Sequence, residues 1–236
     1  GPASVVLTLQ NGLGNEEQLA PLFAPEQIMG GLCFVCLNRI EPGVVQHLDH
    51  GQIVLGEFQR WPEPRTHDIS TMFRNAGVPC AVSANLAQAH WEKLTWNVPF
   101  NGLGVASCLG IDAWIAPDSP VPPTRGTGVC LTTDKLLADP NWTRLVRQLM
   151  LEILAAARAL GFELPDSLAE QQIERTRTMG AYKPSTVIDF ERGQPLELDA
   201  LFMEPLRQAR KAGIARPRLQ RLCEILGQVD PGQLHA

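Results

Sequence analysis

The sequence contains no apolar run approaching the ~20 residues that a membrane-crossing helix needs, and its first residues lack the charged-then-apolar layout of a secretion signal. The expected location is the cytoplasm, with no membrane partner. Positive charge is not in excess either: 20 Lys and Arg stand against 25 Asp and Glu, a formal net charge of -5. A nucleic-acid surface needs a basic face to neutralise phosphates, so the expected partner is a small molecule and not a nucleic acid. The six cysteines are scattered over 236 residues, which excludes a disulfide framework. Cys33 and Cys36 have the spacing of a metal knuckle, but they lie in the run Leu32-Cys33-Phe34-Val35-Cys36-Leu37. On a strand, residues three apart point to opposite faces and cannot share a metal. His47 and His50 flank an expected turn and His235 lies in a terminal tail, so no metal site is expected.

What is present suffices for a packed core, since 44% of the residues are hydrophobic and 19% charged. The first third reads as α/β. Val5 to Leu9 and Ile28 to Leu37 are strand-like, and Asn15 to Phe23 reads as a helix with an acidic first turn. Val44 to Leu48 and Gln52 to Phe58 read as two strands joined by Asp49-His50-Gly51, which has hairpin-turn chemistry. Ile69 to Ala76 is expected to be helical and Pro79 to Ser83 extended.

From about Leu86 the periods become helical. Between Trp142 and Leu160, Trp142, Leu145, Val146, Leu149, Met150, Ile153, Leu154 and Ala157 form one broad apolar stripe. Asp139-Pro140 precedes this helix and Gly161 closes it. Further helices are expected at Ser167 to Thr178, Ser185 to Arg192, Glu197 to Ala212 and Arg218 to Leu226. Leu109 to Gly128, with Pro117, Pro120, Pro122 and Pro123, reads as a loop.

Three segments could carry chemistry. In His90 to Gly104, Lys93, Asn97 and Asn101 are spaced i, i+4, i+8, one polar ridge on a helix, while Trp91, Leu94, Val98 and Leu103 cover other faces. Asparagine is a weak helix former and Pro99 removes a backbone hydrogen bond. Spacing alone leaves two readings open, a solvated face or the wall of a cleft. In Thr8 to Gly14, a strand enters a Gly-rich turn, but the third position of a G-x-G-x-x-G fingerprint is Glu17, a carboxylate that would repel a pyrophosphate. Gly102-Leu103-Gly104 follows no strand and also fails as a phosphate loop. In Lys183 to Pro205, Ser185 follows Pro184 at a helix start, where its hydroxyl could cap backbone donors or bind a carboxylate. Glu197 follows Pro195 in a first helical turn, a position that complements the helix dipole.

Five ordered motifs together resemble the ketopantoate reductase (2-dehydropantoate 2-reductase) family: LQNGLGNEE, EPGVVQHLDHGQIVLGE, WEKLTWNVPFNGL, PSTVIDFERGQPLELDA and ARKAGIARP. The resemblance runs from Val5 nearly to the end. It implies an incomplete Rossmann-like domain over residues 1–85 followed by an all-α C-terminal domain over 86–236, with a cleft between them. It implies Lys93 as general acid and Asn97 and Asn101 as substrate ligands. Ser185 would lie at the substrate carboxylate, Glu197 at its hydroxyl, and Asn11 at the junction of cofactor and active site. The implied reaction is NADPH-dependent reduction of 2-dehydropantoate in pantothenate biosynthesis, with NADP(H) as cofactor and a 2-keto acid as substrate. A homodimer is among the assemblies it allows. Tyr182 and Thr133 stand where members of the family tend to carry polar amides, and the proline-rich insertion after Cys108 is unusual.

The family begins with a strand and a G-x-G-x-x-G loop that would precede Gly1. The chain alone is therefore expected to be a poor reductase, with a proton donor but no pyrophosphate loop. Two alternatives are carried: a reductase of a related 2-keto acid, and a non-catalytic dimerisation or interaction module.

Overall fold

The structure, a computed structural model, describes residues 1, 4–115 and 128–233. The chain divides into two compact units, Gly1–His90 and Trp91–Ala236.

The first unit is a mixed sheet with helices. Its strands are β1 (Val6–Thr8), β2 (Ile28–Glu41), β3 (Val44–Glu57) and β4 (Cys80–Val82), ordered β1-β2-β3-β4. The outer pairs, β1 with β2 and β3 with β4, are parallel, and the central pair is antiparallel. Each parallel pair requires a crossover. The first contains helix α1 (Asn15–Leu19) and the second helix α2 (Pro64–Asn75). Met29, Ile53, Leu55 and Cys80 form the buried cluster, with Leu7, Ile69 and Phe73 packed against it.

The hairpin differs from the sequence expectation. Asp49-His50-Gly51 is not its turn; β3 runs through it, and the chain reverses at Pro42-Gly43 between the paired residues Glu41 and Val44. The turn chemistry was real but is used otherwise. His50 (φ 63°) and Gly51 (φ 135°) adopt the left-handed region inside the strand, where Gly51 is an extra residue opposite the step from Phe34 to Val35. Pro42 presets one turn dihedral and Gly43 supplies the positive φ of 81°. The expected Asn15 to Phe23 helix is shorter, ending at Leu19.

The second unit is helical. Helix α3 (Leu86–Ala106) starts in the first unit and continues through the second, and Trp91, Leu94, Val98, Phe100, Leu103 and Val105 are all buried. Apolar residues on several sides mark a central helix. Its last turns carry Gly102 and Gly104 because neighbours come close. A methyl at Gly102 would lie 2.6 Å from Leu222 and 2.9 Å from Phe202, and one at Gly104 2.5 Å from Val187. These glycines are packing residues, as their failure as a phosphate loop requires.

The remaining helices are α4 (Asp112–Ile115), α5 (Thr133–Ala138), α6 (Pro140–Ala159), α7 (Ser167–Arg177), α8 (Ser185–Glu191), α9 (Glu204–Lys211) and α10 (Pro217–Val229). The apolar stripe of α6 is buried as its periodicity requires, and Asp139 Oδ1 caps it by accepting from the N–H groups of Asn141 and Trp142. Gly161 follows with φ 92°. The expected helix from Glu197 to Ala212 is interrupted by a π-turn at Asp199–Met203 before α9 begins. Pro205 has no N–H to give to the carbonyl four residues back, and a widened turn accommodates its ring. Most of the proline-rich stretch expected to be a loop lies outside the described residues. No helix among the described residues is long and apolar enough to cross a membrane.

Candidate active site

The polar ridge lies on α3. Lys93 is half-buried, and Asn97 and Asn101 are only 7% and 4% exposed. That burial excludes the solvated-face reading for the two amides. A buried amide without a hydrogen bond costs free energy, so each needs a partner from the protein, water or a ligand. Pro99, inside the helix between them, leaves the Thr95 carbonyl without its helical donor.

Asn101 has a protein partner. Its Oδ1 accepts from the Thr186 hydroxyl at 2.8 Å and from the Thr186 N–H at 3.3 Å, which fastens the start of α8 to α3. Ser185, the first residue of α8, is exposed next to this contact, and Pro184 precedes it in extended conformation. The contact thus sets Asn101 against the start of α8, more than eighty residues away in sequence. Among the described residues the side-chain amide of Asn97 makes no hydrogen bond to protein.

Glu197 is exposed and sits just before the π-turn, with its carbonyl accepting from Leu201 N–H at 3.4 Å. The segment leading to it is held from behind, where the Leu196 N–H donates to the buried Asp230 carboxylate at 3.0 Å. Sequence placed Glu197 inside a first helical turn; the structure places it just ahead of the helical segment, whose N-cap is Leu198.

Aromatic groups flank the ridge. Trp96, one residue before Asn97, stacks at 5.0 Å on Phe100 and at 6.2 Å on Tyr182, and its Nε1 donates to the Thr176 hydroxyl at 2.8 Å. Thr133 holds the Tyr182 segment, its hydroxyl donating to the carbonyls of Gly180 and Tyr182. The positioning roles of Thr176 and Thr186 were missed from sequence, because a threonine inside a helix carries no pattern that names its partner.

In the first unit, Asn11 opens the Gly-rich turn in which Gly12 (φ 91°) and Gly14 (φ 86°) lead into α1. Its carbonyl accepts from the side chain of Asn15 at 3.0 Å. Glu16, in the first turn of α1, is buried and meets the His90 ring at 3.1 Å. Helix α1 has only five residues, and its first turn carries Glu16 and Glu17. With two acidic residues in so short a helix, this turn is poorly suited to a pyrophosphate. Among the described residues no three His, Cys, Asp or Glu groups are placed to hold a metal ion.

Residues 1–60 match the family described as ketopantoate reductase PanE/ApbA, and residues 127–230 match its C-terminal part. The 2-dehydropantoate 2-reductase of a Nostoc species is 35% identical over 231 residues, covering 96% of this chain and 66% of that protein. The crystal structure of 2-dehydropantoate 2-reductase from Geobacter metallireducens is similar with a TM-score of 0.82 and 43% identity, covering 95% of this chain and 68% of that one. D-mandelate dehydrogenase, in ternary complex with NADH and anilino(oxo)acetate, shares the fold, with a TM-score of 0.78 and 19% identity over 100% of this chain and 70% of that one. The chain spans about two thirds of the length of the curated relatives it matches.

Proposed function

Since this chain belongs to the ketopantoate reductase PanE/ApbA family, we propose that it carries the catalytic half of a reductase converting 2-dehydropantoate to pantoate with NADPH. One observation carries the reading: the side-chain amide of Asn97, a residue 7% exposed, has no protein hydrogen bond among the described residues and lies one turn from Lys93 on the same ridge. A substrate oxygen is the partner that amide is built to meet.

The cofactor, when bound, supplies the hydride. Reduction of the ketone builds negative charge on its oxygen, and the Lys93 ammonium stabilises that charge and then gives up a proton from Nζ to form the hydroxyl. Asn97 and the free edge of the Asn101 amide orient the substrate, and the Ser185 hydroxyl donates to its carboxylate. Glu197 accepts from the substrate's hydroxyl. Asn11 contacts the cofactor. The shielding of Asn97 and Asn101 from water strengthens each of these polar contacts.

The test is Lys93→Ala in a protein extended to the length of the relatives, assayed for NADPH-dependent ketopantoate reduction. Turnover should fall ~10²-fold or more, in line with loss of other transition-state donors. Turnover within about twofold of wild type would remove Lys93 as the general acid.

A second reading keeps the chemistry and changes the 2-keto acid. It is favoured by Tyr182, which stacks on Trp96 where family members tend to carry an amide. A panel of 2-keto acids separates the two: a bulkier apolar substrate reduced with higher kcat/KM than ketopantoate would establish it.

A further inference from the structure

The second unit contains a cavity of about 440 Å³ between α4, α6 and the start of α10, and none of the ridge residues lines it. Three arginines do: Arg144, Arg218 and Arg221. Elsewhere in this unit arginines sit against carboxylates, as in Arg147 with Glu170 at 2.7 Å, Arg158 with Asp166 at 2.7 Å and Arg207 with Asp199 at 2.8 Å. The cavity arginines are held less closely: Arg218 and Arg221 come only to 4.0 and 3.7 Å from carboxylates.

Arg221 is 6% exposed, yet its Nε and Nη2 donate to a neutral acceptor, the Ala113 carbonyl, at 3.2 and 3.0 Å. Its nearest carboxylate, Glu224, is 3.7 Å away with a side chain 46% exposed. Arg218 donates to the Gln148 side chain and approaches Glu152 only to 4.0 Å. Glu152 directs its two oxygens to the N–H groups of Arg218 and Leu219 at the start of α10, and burial pushes its carboxyl above the ordinary range despite those bonds. Arg144 is exposed and donates to the neutral Asn141 amide at 2.9 Å.

A second, independent observation concerns Trp114. It is 8% exposed, lines the same cavity, and its indole N–H is buried with no hydrogen-bond partner among the described residues. A buried donor without an acceptor carries a penalty that an anion relieves, and an anion here would also add to the loose pairing of Arg218 and Arg221. Leu145 and Pro217 complete the wall with apolar surface.

We propose that this cavity is a binding site for a small phosphate monoester. Its phosphate oxygens accept from the guanidinium groups and the Trp114 N–H, and its apolar body packs on Leu145, Pro217 and the indole. Guanidinium groups suit phosphate because their N–H groups form a planar fork matched to its oxygens.

The probe is phenyl phosphate, titrated calorimetrically into the 236-residue chain, with phenol and benzoate as controls. Phenyl phosphate should bind with a submillimolar Kd, phenol should not bind, and benzoate should bind about tenfold more weakly or worse. Arg144→Glu, at an exposed position that leaves the circular dichroism unchanged, should weaken phenyl phosphate about tenfold or more. Trp114→Phe should weaken it as well, and the wild-type indole N–H resonance should move on binding. Lys93→Ala should leave it unchanged, which separates this site from the reductase reading. Absence of binding, equal affinity for phenol, benzoate as tight as phenyl phosphate, or an undiminished Kd in Arg144→Glu would each overturn the proposal.

Discussion

Glu16 and His90, 74 residues apart, meet through a 3.1 Å contact between Oε1 and Nε2 with both side chains buried. A carboxylate can only accept, so the ring nitrogen donates. The contact holds the first turn of α1, which follows the Asn11 turn, against the first turn of α3. Gly30 makes room for it, since a methyl there would collide with the Glu16 carboxylate. His90→Leu strips a buried carboxylate of its partner and should destabilise the first unit by ~3–5 kcal/mol. The double variant Glu16→Leu/His90→Leu should recover part of the loss. A double variant no more stable than His90→Leu, in denaturant unfolding, would show that the two side chains are not coupled.

Asn97 and Asn101 should separate function from stability. Asn101→Ala leaves the buried N–H and hydroxyl of Thr186 without their acceptor and should cost ~1–3 kcal/mol of stability. Asn97→Ala breaks no protein hydrogen bond among the described residues, so it should stay near wild-type stability while kcat/KM falls. Unfolding midpoints and steady-state kinetics on both variants check this. Equal destabilisation by the two substitutions would mean that Asn97 is structural.

Glu57, at the end of β3, sets an acid limit on the first unit. Burial pushes its carboxyl up, but hydrogen bonds from Arg65 and Thr66 and the charges of Arg65 and Arg60 outweigh this, and the net shift is below the ordinary 4.5. A carboxylate depressed in the folded state contributes stability that is present above the unfolded pKa. That contribution is lost as pH falls below 4.5 through the folded value. Wild type should therefore lose thermal stability steeply over that range. Glu57→Gln should be ~1–3 kcal/mol less stable at neutral pH, with a flatter acid limb in Tm against pH.

Periodicity made α6 legible because its burial follows one face. The α6 stripe, the Asp139 cap and the Gly161 stop each depend on residues within a turn of one another. The hairpin was misread because Asp49-His50-Gly51 and Pro42-Gly43 both offer positive φ, and local chemistry cannot say which of the two turns the chain. Pairing decides, with β2 continuing far enough to match Val44 against Glu41. In the site, Lys93, Asn97 and Asn101 could be grouped from helical spacing. The link from Asn101 to Thr186 could not, since it joins two helices through a side chain that has no periodic signature. Glu16 and His90 were invisible for the same reason.

Gly104 connects packing to the candidate site. In Gly104→Ala the added methyl would lie 2.5 Å from Val187 Cγ2, closer than carbon atoms tolerate, so α8 must move away from α3. Overpacking of this kind costs ~1–3 kcal/mol. The displacement acts at the residue after Thr186, so it should lengthen the hydrogen bonds to Asn101 and shift Ser185 relative to the ridge. Under the proposed reaction, KM for the keto acid should rise while the KM for NADPH stays unchanged. Val187→Ala in the Gly104→Ala background vacates the space the methyl needs and should restore both stability and KM in part. Failure of that second substitution to rescue either quantity would show that the close approach of α3 and α8 does not position Ser185.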